Sequence, residues 1–233
     1  MTRLLHLDAS PRPGRSGTHE HGSHTRRLTH HFVSQWQAAR PGDAIVHRDL
    51  GLTPPALTSV AWIEAAFASA EKQQPWMRDV LAESDALVDE LIQADVLVLG
   101  VPLYNFSYPA AFKAWIDNIV RLDRTVGFDP ANHEDPFTPL LADRPRHAVI
   151  LSSRGGFGLG PGGPLAHMNH LEPSVRTALE FIGIRHFHDI AIEYQEEGGD
   201  RLARSINDAL VDVERLVERL LAQTASAQAP LPA

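Results

Sequence analysis

The chain contains no cysteine. That excludes disulfides, thiolate catalysis, iron–sulfur clusters and cysteine-ligated zinc, so redox chemistry here would need a bound cofactor. No apolar run approaches the roughly 18 residues of a membrane span. The N-terminal MTRLLHLDAS turns polar too soon for a secretory segment, so the expected location is cytoplasmic and no membrane partner is expected. Basic residues are in deficit: 21 Lys and Arg stand against 29 Asp and Glu, a net charge of −8. A nucleic-acid partner, which needs a basic footprint, is therefore not expected. GxxxxGK[ST] does not occur, which excludes the P-loop. No internal repeat is visible.

What remains is ordinary for a globular protein: 233 residues, 43% hydrophobic and 21% charged. Apolar runs at Leu4–Leu7, Ala44–Leu50, Val96–Val101, His147–Ser152 and Arg185–Ile192 read as strands. Between them, helical periodicity predicts Thr25–Ala39, one or two helices in 58–93 broken near Pro75, Ala110–Val120, Glu172–Ile182 and Arg201–Gln223. Residues 121–145, proline-rich and charged, read as an excursion loop. Residues 1–223 are expected to form one domain, with 224–233 a disordered tail. Alternating strands and helices imply an α/β fold, a doubly wound parallel sheet with helices on both faces. Five strands suit the flavodoxin-like order 2-1-3-4-5, which would gather the loops after strands 1, 3 and 4 at one switch point.

Those three loops have unusual compositions. After the first strand come Ser10 and then Ser23-His24-Thr25 at the start of a helix. Hydroxyls and free amides at a helix N-terminus can hold a phosphate, a monophosphate such as that of FMN rather than a triphosphate; an ordinary N-cap reads the same way. After the third strand, Pro102-Leu103-Tyr104-Asn105-Phe106-Ser107-Tyr108-Pro109 is dense in aromatics where loops are usually small and polar. It can wall a flat conjugated ring, and it can equally cap the core or form an oligomer contact. After the fourth, Ser153-Arg154-Gly155-Gly156 lets backbone approach a ligand edge, such as the pyrimidine edge of a flavin, or is simply a flexible surface loop.

The histidines at 19, 21, 24, 30 and 31 lack ligand spacing such as HExxH and read as a solvated loop, so no metal site is expected. His167 and His170, three apart, would share a helix face and could reach a substrate or simply lie at the surface. The acidic pairs Glu134-Asp135 and Glu196-Glu197 read as solvated.

With Tyr104-Asn105-Phe106, a following proline and lysine-containing helix, and Ser153-Arg154-Gly155-Gly156 in this order, the chain resembles the FMN-dependent NAD(P)H:quinone oxidoreductases, which include bacterial azoreductases. The resemblance spans about residues 3–220. It implies that Ser10, Ser23, His24 and Thr25 bind the FMN phosphate. Pro102, Leu103, Tyr104, Asn105 and Phe106 run along the ring, and Ser153, Arg154, Gly155 and Gly156 meet its pyrimidine edge. It implies a homodimer with the active site at the subunit interface, and a ping-pong cycle in which NADH or NADPH reduces the flavin and a quinone or azo acceptor reoxidises it. No protein nucleophile is implied. One departure stands out: Ser16-Gly17-Thr18 has the family's hydroxyl-x-hydroxyl form too, and GTHEHG looks inserted before Ser23-His24-Thr25. The phosphate thus has two candidate motifs. Rival readings are an electron-carrier module reduced by a partner protein and a flavin-free interaction protein on the same fold.

Overall fold

Five apolar strands form one parallel sheet. In the computed structural model, which describes residues 1–227, they are β1 (Arg3–Asp8), β2 (Ala44–Asp49), β3 (Val96–Pro102), β6 (His147–Ser153) and β7 (His186–Ile192). Two short strands, β4 (Val126–Phe128) and β5 (Phe137–Pro139), form a separate antiparallel pair. The sheet order is β2-β1-β3-β6-β7, the expected 2-1-3-4-5 among the sheet strands. The helices are α1 (His24–Ala39), α2 (Val60–Ala66), α3 (Pro75–Gln93), α4 (Ala110–Ile119), α5 (Leu171–Ile182) and α6 (Gly199–Ala227). Pro75 stands at the first turn of α3, where its missing N–H costs nothing.

Strand alternation sorts the core into two layers. Leu5, Leu7, Leu97, Leu99 and Ile150 pack with Leu87 and Leu91 of α3, Phe112 and Trp115 of α4, and Val175 and Leu179 of α5. On the other face Leu4, Val96, Val98 and Val149 pack with Phe32 and Trp36 of α1 and Val213 and Leu216 of α6. Central β3 is buried along its whole length, as its continuous Val/Leu run requires.

Three expectations need correction. Residues 121–145 are not all loop, because they contain the β4–β5 hairpin. Strands of three residues are too short to show alternation. The hairpin is held instead by rings: Phe128 and Phe137 have centroids 5.4 Å apart, and Phe137 lies 5.3 Å from Phe181 of α5. The last helix runs past Gln223 to Ala227, with Thr224 Oγ1 donating to the Leu220 carbonyl at 3.0 Å. Of the expected disordered tail, 228–233 lie outside the described residues. His167 and His170 share no helix face, since His167 sits in a single 3-10 turn and His170 precedes α5. No helix among the described residues is long and apolar enough to cross a membrane.

Candidate active site

The loops after β1, β3 and β6 meet at the C-terminal edge of the sheet. Ladder bonds continue past the strand ends: the Ala9 amide donates to Gly100 O at 2.9 Å and the Leu103 amide to Ser153 O at 2.9 Å. The first clamps the start of the β1 loop onto β3, and the second ties the aromatic loop to the Ser153 segment. A cleft of about 520 Å³ opens between the first two loops, lined by Ala9, Pro11, Gly51, Tyr104, Asn105 and Tyr108 among others.

The aromatic loop is a tight turn. The amides of Tyr104 and Ser107 donate to each other's carbonyls at 2.8 and 3.0 Å. Asn105 and Phe106 sit at φ 47° and 71°, positive at both central positions as a type I′ turn requires. Asparagine tolerates that region, but for phenylalanine it is strained by about 1–3 kcal/mol. Tyr104 and Phe106 keep 39% and 49% of their surface exposed, so these rings are displayed and do not cap the core. The amides of Asn105 and Phe106 donate to no acceptor among the described residues, and the Phe106 carbonyl accepts from the His170 amide at 2.8 Å. The turn therefore presents two outward rings, a side-chain amide and two unused N–H groups.

The Ser153–Gly156 segment divides its work. Gly155 and Gly156 have unused amides, while their carbonyls accept from Glu196 and Tyr194 at 3.0 Å each. A Cβ at Gly155 would lie 2.5 Å from Glu196 Oε1, the end of an exposed side chain that would have to swing aside. Arg154 is turned inward. Its buried guanidinium donates to Glu172 Oε1 at 2.6 Å and to Glu193 Oε1 at 3.1 Å. Its amide and carbonyl are paired with Ile192 and Gln195. These bonds hold the segment in place, while the buried Arg154 Nε has no hydrogen-bond partner among the described residues. Burial pushes the Glu172 carboxyl up, but the charge and hydrogen bond of Arg154 outweigh it and hold Glu172 below its ordinary value.

At the first loop the two hydroxyl motifs lie side by side. The Ser16 amide donates to Ser23 O at 3.0 Å and the Ser23 amide to Gly14 O at 2.7 Å, so the GTHEHG segment bulges out as a closed turn. Ser16 Oγ lies 2.9 Å from His24 Nδ1. Ser23 and Thr25 are buried; Ser23 Oγ caps α1 by accepting from the Arg26 amide, 3.3 Å away. Ser10 is buried as well, its Oγ accepting from the Arg12 amide at 3.3 Å. The partly exposed groups are Ser16 and His24, with the unused first-turn amides of His24 and Thr25. Burial first, then the charges of Arg27 and Arg12, keep the His24 pKa below its usual range. Two guanidinium groups thus raise the potential at this helix start, in a chain that is acidic overall.

Sequence reading missed Arg26. Buried in the first turn of α1, it forks onto Asp49 with both nitrogens at 2.6 Å and donates to the Ser10 carbonyl at 2.7 Å. Burial works against its charge, but the bonds to Asp49 and the charge of Asp8 raise its pKa further. It ties the first loop to β2. An arginine in a polar helix turn carries no sequence signal for this.

Replacing Phe106 by glycine tests the strained turn. Relief of the positive φ, less the extra entropy of the unfolded glycine, raises the stability of the flavin-free fold by about 1 kcal/mol. On the ring-wall role that the resemblance implies for Phe106, loss of the ring weakens FMN binding about tenfold. Thermal unfolding and flavin fluorescence titration read the two effects, and unchanged FMN affinity would sink the assignment of this ring.

A family model described as flavodoxin-like fold matches residues 2–217. FMN-dependent NAD(P)H:quinone oxidoreductase 1 of Pseudomonas aeruginosa is 42% identical over 228 residues, which is 97% of this chain and 100% of that protein. FMN-dependent NADH:quinone oxidoreductase 2 of Colwellia psychrerythraea is 38% identical over 221 residues, 95% of this chain and 100% of that one. The crystal structure of an azoreductase from Bacillus anthracis matches with a TM-score of 0.79 at 23% identity, covering 94% of this chain and 100% of that one, a likeness of fold. Similarity that runs the full length of these relatives, on a sheet of this order, means that the chain belongs to the flavodoxin-like fold family, among the FMN-dependent NAD(P)H:quinone oxidoreductases.

Proposed function

We propose that the protein is an FMN-dependent NAD(P)H:quinone oxidoreductase that also takes azo acceptors, working as a homodimer by a ping-pong cycle. The observation that carries this reading is the Tyr104–Ser107 turn, with its strained, outward Phe106 and unused amides, tied through Leu103 to the Ser153 segment. Two conjugated-ring walls beside unpartnered N–H groups fit an isoalloxazine ring better than they fit a core cap. Hydride transfer from NADH or NADPH to a quinone or azo acceptor is the chemistry that FMN supplies when bound.

The residues of this chain hold and orient. Tyr104 and Phe106 give apolar faces that exclude water, and Asn105 gives hydrogen-bonding groups at a ring edge. The Gly155 and Gly156 amides offer uncharged donors to an electron-rich heterocycle, and the Arg154–Glu172 pair keeps them in position. At the phosphate end, Ser16, His24 and the amides of His24 and Thr25 carry the contact, with Arg12 and Arg27 supplying charge. Ser10, Ser23 and Thr25 shape that loop with buried hydroxyls. This joins the two candidate motifs into one site. Support for a homodimer comes from the exposed aromatics Phe67, Phe128, Phe137 and Phe181, beside the β4–β5 hairpin, a patch of the kind that marks protein interfaces.

The test is anaerobic mixing of the FMN-loaded protein with NADH and with NADPH, then with a quinone and an azo dye. Bleaching of the flavin absorbance by nucleotide alone, and its return with acceptor, is the expected result. No bleaching by either nucleotide overturns the proposal and favours the electron carrier. Failure to take up FMN at all favours the flavin-free interaction protein.

A further inference from the structure

We propose that His6, Asp8 and His47 form a binding site for a divalent cation of the zinc type, distinct from the flavin loops. His47 lies 41 residues after His6, and only the parallel register of β1 with β2, which sets His6 against His47, brings them together. His6 and Asp8 alternate on β1 and so share a face. Both imidazoles converge on one oxygen: His6 Nε2 is 3.1 Å and His47 Nε2 3.0 Å from Asp8 Oδ2. The three ligand atoms all lie within 4.8 Å of one another. With metal–ligand bonds of about 2.0–2.1 Å, tetrahedral ligand atoms stand about 3.3 Å apart. The donors are therefore near the required spacing.

A second observation points to a ligand. His6 is 9% exposed, and its buried Nε2 meets Asp8 Oδ2 at 3.1 Å as an ion-pair contact without a regular hydrogen bond. A metal ion held by the lone pair of this nitrogen would give the buried group a better partner than the contact with Asp8. The carboxylate is held for the purpose. Thr29 Oγ1 donates to Asp8 Oδ1 at 2.9 Å, leaving Oδ2 to the histidines. Gly100 leaves room beside it, since a Cβ there would lie 2.8 Å from Oδ1. Arg26 Nη1 is 3.5 Å from Oδ2, but its charge is met by the fork onto Asp49. The His47 ring is 47% exposed, which gives an ion a path in and leaves a fourth position to water. Two imidazoles and one carboxylate with an open position suit zinc rather than magnesium or calcium, which prefer oxygen. The ion would bridge edge strand β2 to β1, two residues before Ser10.

The test uses the full-length, FMN-loaded protein, freed of metal with a chelator and titrated with zinc against a chromophoric chelator. The expected result is one zinc bound per chain and a Tm raised by zinc. His47→Ala and His47→Gln, at an exposed edge, keep their FMN, weaken zinc binding at least tenfold and lose the Tm shift. A His19→Ala/His21→Ala control binds like the parent. The proposal is overturned if the parent does not compete for zinc, if both His47 variants bind as tightly as the parent, or if the loss follows the His19/His21 control.

Discussion

Replacing Arg26 by alanine lowers the unfolding free energy by about 3–5 kcal/mol, the effect of stranding a buried ion-pair partner. Three groups lose their cation together: the Asp49 carboxylate, the Ser10 carbonyl and, at 3.5 Å, Asp8. For a chain of this size the melting temperature falls by roughly 10 °C. With the phosphate site proposed above, FMN binding weakens as well, because Arg26 donates to the Ser10 carbonyl and ties the first loop to Asp49. Arg26→Lys keeps the charge but cannot reproduce the fork onto Asp49, so its loss is intermediate. Urea titration of the flavin-free protein and an FMN titration measure the two effects. A stability loss below about 1 kcal/mol would mean that the fork acts as a surface pair and not as a buried strut.

The second large effect lies at the Arg154–Glu172 pair. Arg154→Met costs about 3–5 kcal/mol, because Glu172 is left buried with neutral donors such as Ser152 Oγ, 3.0 Å from Oε1, and no cation. Glu172→Ala costs less, about 2–3 kcal/mol, because Arg154 keeps Glu193 at 3.1 Å. Changing both to apolar residues of similar volume is milder than Arg154→Met alone, which a double-mutant cycle reports. The pH response changes sign. In the parent, Glu172 titrates below its unfolded value, so the stability it supplies is complete above about pH 4.3 and fades as acid passes the folded value. Without Arg154, burial dominates and lifts the folded value above the unfolded one. The variant then gains stability on acidification and loses it as pH rises through the raised value. Stability measured between pH 4 and pH 8 decides this; parallel curves for the two proteins would refute it.

The order of the sheet was legible because β-strand burial writes itself into the chain. β3 reads as a run of Val and Leu because both its faces are covered, and α4 reads as a helix because one stripe is not. The aromatic loop was legible for a similar reason, since Tyr104 and Phe106 stand where polar residues usually do. The three-residue strands of the hairpin were not legible, as no alternation fits in three residues. Nor was the inward turn of Arg154. An arginine in a glycine-rich loop looks like a ligand-binding group until a buried glutamate from α5 is found beneath it.

Local patterns determined the fold class, the switch-point loops and the kind of ligand they suit, because each depends on residues adjacent in the chain or one helical turn apart. Tertiary structure decided what depends on register and long-range approach. It laid Ser16 beside His24, so that the two hydroxyl motifs meet at one helix start. It set Arg26 against Asp49 and Glu172 against Arg154. It brought His47 onto His6 and Asp8, where spacing along the chain gave no ground to expect a metal. Two strands 41 residues apart become neighbours only through the hydrogen-bond ladder between them, and side-chain periodicity within one strand carries no record of that pairing.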